Sequence, residues 1–194
     1  LRAESGRARF AELLADADVL VENLKPGSLQ KLGFGDDRRT AINPHLVYCA
    51  ISGFGADSAY PGRPAFETVI QAMSGIMDPI RQNDRPQKAG ISLADILGGL
   101  FALTGTLSVI LGRTTSAAGD ALDISMQDAA AWITQFADAE RQAGRIATLR
   151  CRDGYVIAMS DPRACGSTES LVLQSRAEVV ATLGIRGVQA APVL

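Results

Sequence analysis

The 194 residues suffice for one sizeable domain, alone or with a small appendage. Hydrophobic content of 47%, charged content of 21% and a net charge of −2 fit an ordinary soluble protein and offer no electrostatic case for nucleic acid or an anionic membrane. Cys49, Cys151 and Cys165 are scattered without a CxxC pair and His45 is the single histidine, which argues against a metal site and for a reducing cytoplasm.

In chain order, Ser5 caps a predicted helix to about Ala15, with Phe10, Leu13 and Leu14 on its apolar face. These first residues are too polar for a signal peptide, and a chain that opens inside a helix without an initiator methionine reads as a fragment. Asp18–Glu22 is a short buried strand, Pro26–Leu32 a short helix closed by Gly33, and Asp36–Ile42 a further helical turn or two stopped at Asn43-Pro44. Leu46–Ser52 is the clearest strand, apolar enough to be covered on both faces. Helix, strand, helix, strand in that order predicts an α/β fold with a parallel sheet and flanking helices. Gly53-Phe-Gly55 follows a strand as a dinucleotide loop would, but Ser58 replaces the third glycine and Pro61 and Pro64 block an immediate helix, so no nicotinamide site is expected.

A helix over Phe66–Met77 and a polar loop over Asp78–Gly90 lead to Lys88-Ala-Gly-Ile-Ser-Leu-Ala-Asp95-Ile-Leu-Gly98-Gly99. No residue from Ile96 to Gly112 is charged; the run falls short of a comfortable membrane span and reads as a buried core helix. Ser92 and Asp95 have capping-box spacing. The helix dipole and unpaired N–H groups there should keep Asp95 ionised, and an ionised carboxylate at a helix mouth can serve as a nucleophile with N–H groups for an oxyanion. An acid in a first turn is equally an ordinary helix stabiliser, and Gly98 and Gly99 either leave room for a substrate or permit close packing. Ala121–Met126 then reads as a half-exposed strand and Asp128–Gln142 as a helix carrying Trp132 and Phe136. Composition shifts near Gly144, dividing the chain into parts at 1–145 and 146–194. The second part holds a hairpin over Thr148–Met159 turning at Asp153-Gly154, a loop over Asp161–Ser170, a helix over Arg176–Leu183 and an extended tail.

Several of these segments together resemble the type III CoA-transferases, which include formyl-CoA:oxalate and carnitine-linked CoA transferases. The matching pieces are Ala17-Asp-Val-Leu-Val-Glu-Asn-Leu-Lys-Pro-Gly27, Leu32-Gly-Phe-Gly35, Ile42-Asn-Pro-His-Leu-Val-Tyr48, Ile51-Ser-Gly-Phe-Gly55, Gln71-Ala-Met-Ser-Gly75, the Lys88–Gly99 stretch, Asp123-Ile-Ser-Met-Gln-Asp-Ala129 and Cys151-Arg-Asp-Gly-Tyr155. The resemblance implies a Rossmann-like parallel sheet with the remnant of a smaller second domain. It also implies transfer of CoA from an acyl-CoA thioester to a free carboxylic acid, with CoA as substrate, no bound cofactor, and an interlocked homodimer. The family's aspartate nucleophile falls on Asp95, forming a mixed anhydride and then an aspartyl-CoA thioester. Family CoA contacts fall on Asn23, Leu24, Lys25 and Lys31, and its adenine and thioester stretch on Arg63, Ala65 and Phe66. Glu67 aligns with an acid facing the nucleophile. The α-methylacyl-CoA racemases share the fold but need a histidine where Phe66 stands, so transfer is favoured over racemisation. The family's first strand–loop–helix unit and its glycine-rich loop have no counterpart here, which leaves a non-catalytic CoA-binding or assembly module as the remaining alternative.

Overall fold

The β-branched and aromatic runs at 19–22 and 47–52 favour extended chain, and the helical segments between them allow only a crossover return. The computed structural model describes residues 1–61, 63, 65–113, 119–135 and 146–193. These fall into two compact units, Leu1–Thr134 and Gln135–Leu194. The boundary expected at 145 lies outside the described residues.

In the first unit, α1 (Glu4–Asp16) leads into β1 (Val19–Glu22), and α2 (Ser28–Lys31) and α3 (Asp36–Ile42) return the chain to β2 (Val47–Ser52). There follow α4 (Glu67–Met73), a hairpin of β3 (Arg81–Gln82) and β4 (Arg85–Pro86), α5 (Leu93–Gly112), β5 (Asp120–Ser125) and α6 (Met126–Thr134). The main sheet runs β1-β2-β5, parallel throughout, with Cys49 level with Val21 and Leu122. The hairpin replaces part of the expected polar loop. Its turn places Asn83 and Asp84 at φ 50° and 62°, left-handed values that Asn and Asp tolerate better than other side chains. The helix expected to start at Asp128 starts at Met126; its expected continuation to Gln142, with Phe136, lies outside the described residues.

One expectation of burial is corrected. α5 is not wrapped by the core. Its Ala94, Gly98, Ala102 and Thr106 form a buried stripe, while Ile96, Leu100, Leu103, Leu107 and Leu111 are exposed, Leu111 at 74%. An all-apolar helix has no polar face to orient it, so backbone approach decides. The stripe of small residues lets α5 lie close on β2, β5 and α6, and a Cβ at Gly98 would stand 3.0 Å from Met126 Cγ. At 20 residues α5 is also long and apolar enough to cross a membrane by length and composition. β2 is covered on both faces, more fully on one: Tyr48, on the second face, packs against the core of Leu14, Leu29 and Phe34. Val47 and Cys49 are fully buried, whereas Tyr48 and Ala50 point to the other side and border an open cleft.

The second unit is antiparallel, ordered β6 (Ala147–Cys151), β7 (Gly154–Ala158), β8 (Ala190–Pro192), with the tail forming the third strand. The hairpin turn is centred on Arg152-Asp153, one residue before the expected position, because Cys151 and Gly154 already pair. A 3-10 turn (Pro162–Ala164) and α7 (Thr168–Leu171) occupy the expected loop. α8 (Arg176–Ile185) contributes Val179 and Leu183 to a core with Leu149, Cys151 and Val156. α8 begins with a complete capping box, Ser175 and Glu178 satisfying each other's backbone N–H.

Candidate active site

Phe66, in extended conformation, caps α4 and is 73% exposed. It turns the chain so that Glu67 opens the helix and Gln71 lies one turn below it on the same side. Gln71 is fully buried. Its Nε2 donates to Glu67 Oε1 and to the Ile91 carbonyl (3.0 Å), and its Oε1 accepts the Ala89 N–H (2.9 Å). These bonds tie α4 to the segment that enters α5. Glu67 Oε2 then accepts the N–H of Asp95 at 3.0 Å.

That last bond corrects the expected local cap. Ser92 occupies the N-cap position but its side chain makes no capping bond; the acid that caps α5 comes from α4, 28 residues earlier. The N–H groups of Leu93 and Ile96 are taken by the Ile91 and Ser92 carbonyls. With Asp95 N–H held by Glu67, the helix mouth presents none of these three to an oxyanion.

The carboxyl of Asp95 is exposed, and its pKa is raised. Desolvation is the main cause and the neighbouring Glu67 charge the second, with Lys88 opposing both. The shift runs against the one a helix mouth alone would give, because desolvation and the Glu67 carboxylate both act against the charged form. Gly98 serves packing, whereas a Cβ at Gly99 would meet nothing within 4 Å.

A cleft of about 660 Å³ lies on the Tyr48–Ala50 side of the sheet. Glu22, Leu24, Arg38, Tyr48, Ala50 and Asp123 are among its lining residues; Asp95 and Glu67 are not. Tyr48 donates to Glu22 at 2.8 Å, and the Arg39 guanidinium stacks 3.6 Å over its ring while binding the Phe34 carbonyl at 2.7 Å. Burial, and then the bond to Glu22, push the Tyr48 phenol well above its ordinary range.

The family model described as CoA-transferase family III matches residues 1–163. This chain belongs to that family. An acetyl-CoA:oxalate CoA-transferase of Acetobacter aceti is 41% identical over 130 residues, covering 66% of this chain and 33% of the relative. An acyl-CoA transferase of Fusarium pseudograminearum is 30% identical over 215 aligned positions, covering 92% and 47% respectively. The crystal structure of a CAIB/BAIF family protein from Brucella suis matches with a TM-score of 0.84 at 29% identity, over 100% of this chain and 64% of that one. The chain thus spans a third to just under half the length of these curated relatives.

Against this family background the residues carried over by resemblance fall into two groups. Glu67 and Asp95 meet at the α4–α5 corner, and Phe66 stands at the N-cap position of α4. Leu24 lines the cleft, and Asn23, just after β1, donates to the Ile51 carbonyl of β2 at 2.7 Å. Lys25 and Lys31 are exposed beside the single turn of α2 and are not among the cleft's lining residues. Arg63 stacks toward the Phe54 and Tyr60 rings at 5.9 and 5.3 Å. Ala65 packs so close to Gly53 that a Cβ there would sit 1.9 Å from its own. Sequence reasoning missed Gln71 and the Arg39–Tyr48–Glu22 cluster. Gln71 stood in a quoted family segment, but only its burial reveals that it has a task.

Proposed function

We propose that this chain carries the nucleophilic centre of a CoA-transferase, with Asp95 as nucleophile and Glu67 as the acid beside it. The observation that carries the reading is the Glu67–Asp95 pair, two carboxylate residues joined across a helix start and reachable from solvent. Family membership supports the reaction class.

In the first step an Asp95 carboxylate oxygen attacks the thioester carbonyl, the C–S bond breaks, and CoA leaves as the thiolate. The product is a mixed anhydride of Asp95 and the donor acyl group. The thiolate attacks the aspartyl carbonyl and releases the donor as its carboxylate, leaving an aspartyl-CoA thioester. An acceptor carboxylate repeats the sequence in reverse, taking CoA and restoring Asp95. No net proton is needed, so Glu67 acts by modulating the charge and basicity of Asp95 and by holding its backbone. CoA is a substrate throughout. The same reading extends to a homodimer, supported by the exposed apolar side chains of α5, and to a cytoplasmic setting, supported by three free cysteines.

The test is exchange of labelled CoA between acetyl-CoA and a panel of free carboxylates, oxalate among them. Exchange by the wild type that Asp95→Ala abolishes is the expected result. Equal exchange by both proteins removes Asp95 from the chemistry. Binding of CoA by both without exchange supports the binding-module alternative, and loss of α-hydrogen label from a 2-methylacyl-CoA without transfer supports racemisation.

A further inference from the structure

Gln71 has no surface exposed, and an amide is costly to bury unless its polar atoms are paired. Here both Nε2 hydrogens and an Oε1 lone pair are used, on Glu67, Ile91 and Ala89. Two of these bonds satisfy backbone groups of the segment leading into α5. The third goes to Glu67, whose half-buried carboxylate water could solvate without help. Stability therefore explains two bonds; the third bond orients. Its recipient is the carboxylate that accepts the Asp95 N–H.

We propose that Gln71 is a positioning residue, its carboxamide locking the Glu67 carboxylate onto the start of α5 and so fixing the spacing of Glu67 from Asp95. The inference rests on the reading of Asp95 as the nucleophile. The same amide anchors the Ala89 backbone in the segment that enters α5. With Gln71 in place Glu67 cannot swing to solvent; without it, Glu67 keeps only the bond from Asp95 N–H.

The test uses Gln71→Met, which keeps the volume and removes all three bonds, and Gln71→Glu, which keeps an acceptor for Ala89. Two readouts are followed in the full chain from pH 4 to pH 9. One is the rate at which acetyl-CoA forms a covalent adduct on Asp95; the other is the titration of the Asp95 carboxyl by 13C NMR. Gln71→Met is expected to slow adduct formation about ten- to hundredfold, the loss of one hydrogen bond to a charged group. Its acid limb moves to lower pH, because Glu67 no longer presses its charge on Asp95. Gln71→Glu is expected to be impaired at neutral pH and to recover toward wild type in acid, where a protonated carboxyl again offers a donor to Glu67. A purely structural role would leave both pH profiles at the wild-type position.

Should Gln71→Met fail to fold, Gln71→Glu decides: no acid recovery overturns the proposal. If the wild type forms no adduct but the Asp95 titration shifts in the variants, the transferase reading fails and the positioning role stands. If the adduct forms and the Asp95 titration is the same in wild type and Gln71→Glu, the positioning role fails and the transferase reading stands.

Discussion

Among the described helices, α5, α6 and α8 each begin at a Ser-x-x-acid sequence, and α5 and α8 begin differently. At α8, Ser175 and Glu178 close a local capping box, and bonding to Ser175 holds the Glu178 carboxyl below its ordinary range. At α5, Ser92 makes no capping bond, Asp95 is left outside the cap, and Glu67 arrives from another helix to take the backbone N–H. There the Asp95 carboxyl is pushed up instead of down. The first acid stabilises its helix. The second is held where its charge is disfavoured, which is characteristic of an acid kept for chemistry.

The opposite shifts give opposite pH signs. A lowered pKa contributes stability that is present above the unfolded value and lost as pH falls through the folded one, so the Glu178 contribution fades in acid. A raised pKa contributes stability below the unfolded value that is lost as pH rises through the folded one, so Asp95 works against the fold at neutral pH.

The largest expected effect breaks the comparison at α5. Asp95→Asn should lower CoA exchange on the order of 10⁴-fold, as loss of a covalent nucleophile does. It should also raise the melting temperature at pH 7, measured by calorimetry; a variant that loses both activity and stability would make Asp95 structural. Next, Glu67→Gln should slow exchange about ten- to hundredfold, the loss of a charge-assisted hydrogen bond that holds the Asp95 backbone. Because the charge that raises the Asp95 pKa is gone, the acid limb of the rate profile should move to lower pH. Lys88→Met should move that limb the other way, to higher pH, since Lys88 is the group that favours the charged Asp95. The smallest effect lies at α8: Ser175→Ala should cost about 1 kcal/mol in denaturant melts, with CoA exchange unaltered.

Much of the fold was legible because its signals are local. The strands at 19–22 and 47–52 and the helix over Arg176–Leu183 follow from runs and punctuation that neighbours do not override. The start of α5 was legible as well, down to Asp95 as its first-turn acid. What the sequence could not convey depends on pairing at long range. The spacing Ser92–Asp95 satisfies the capping-box pattern as well as Ser175–Glu178 does, and only the arrival of Glu67 decides between them. The face α5 buries was illegible for a different reason: every face is apolar, so the stripe of Ala94, Gly98, Ala102 and Thr106 is selected by size and not by polarity. Gln71 reads as a mid-helix polar residue until the fold buries it against Ala89 and Ile91.

The most direct measurement is the intact mass of the protein after brief incubation with acetyl-CoA, followed by peptide mapping of the adduct. An acyl or CoA increment confined to the peptide bearing Asp95, and absent from Asp95→Asn, is the predicted result. An increment on any other residue, or an unmodified Asp95 in a protein that exchanges CoA, would contradict the account.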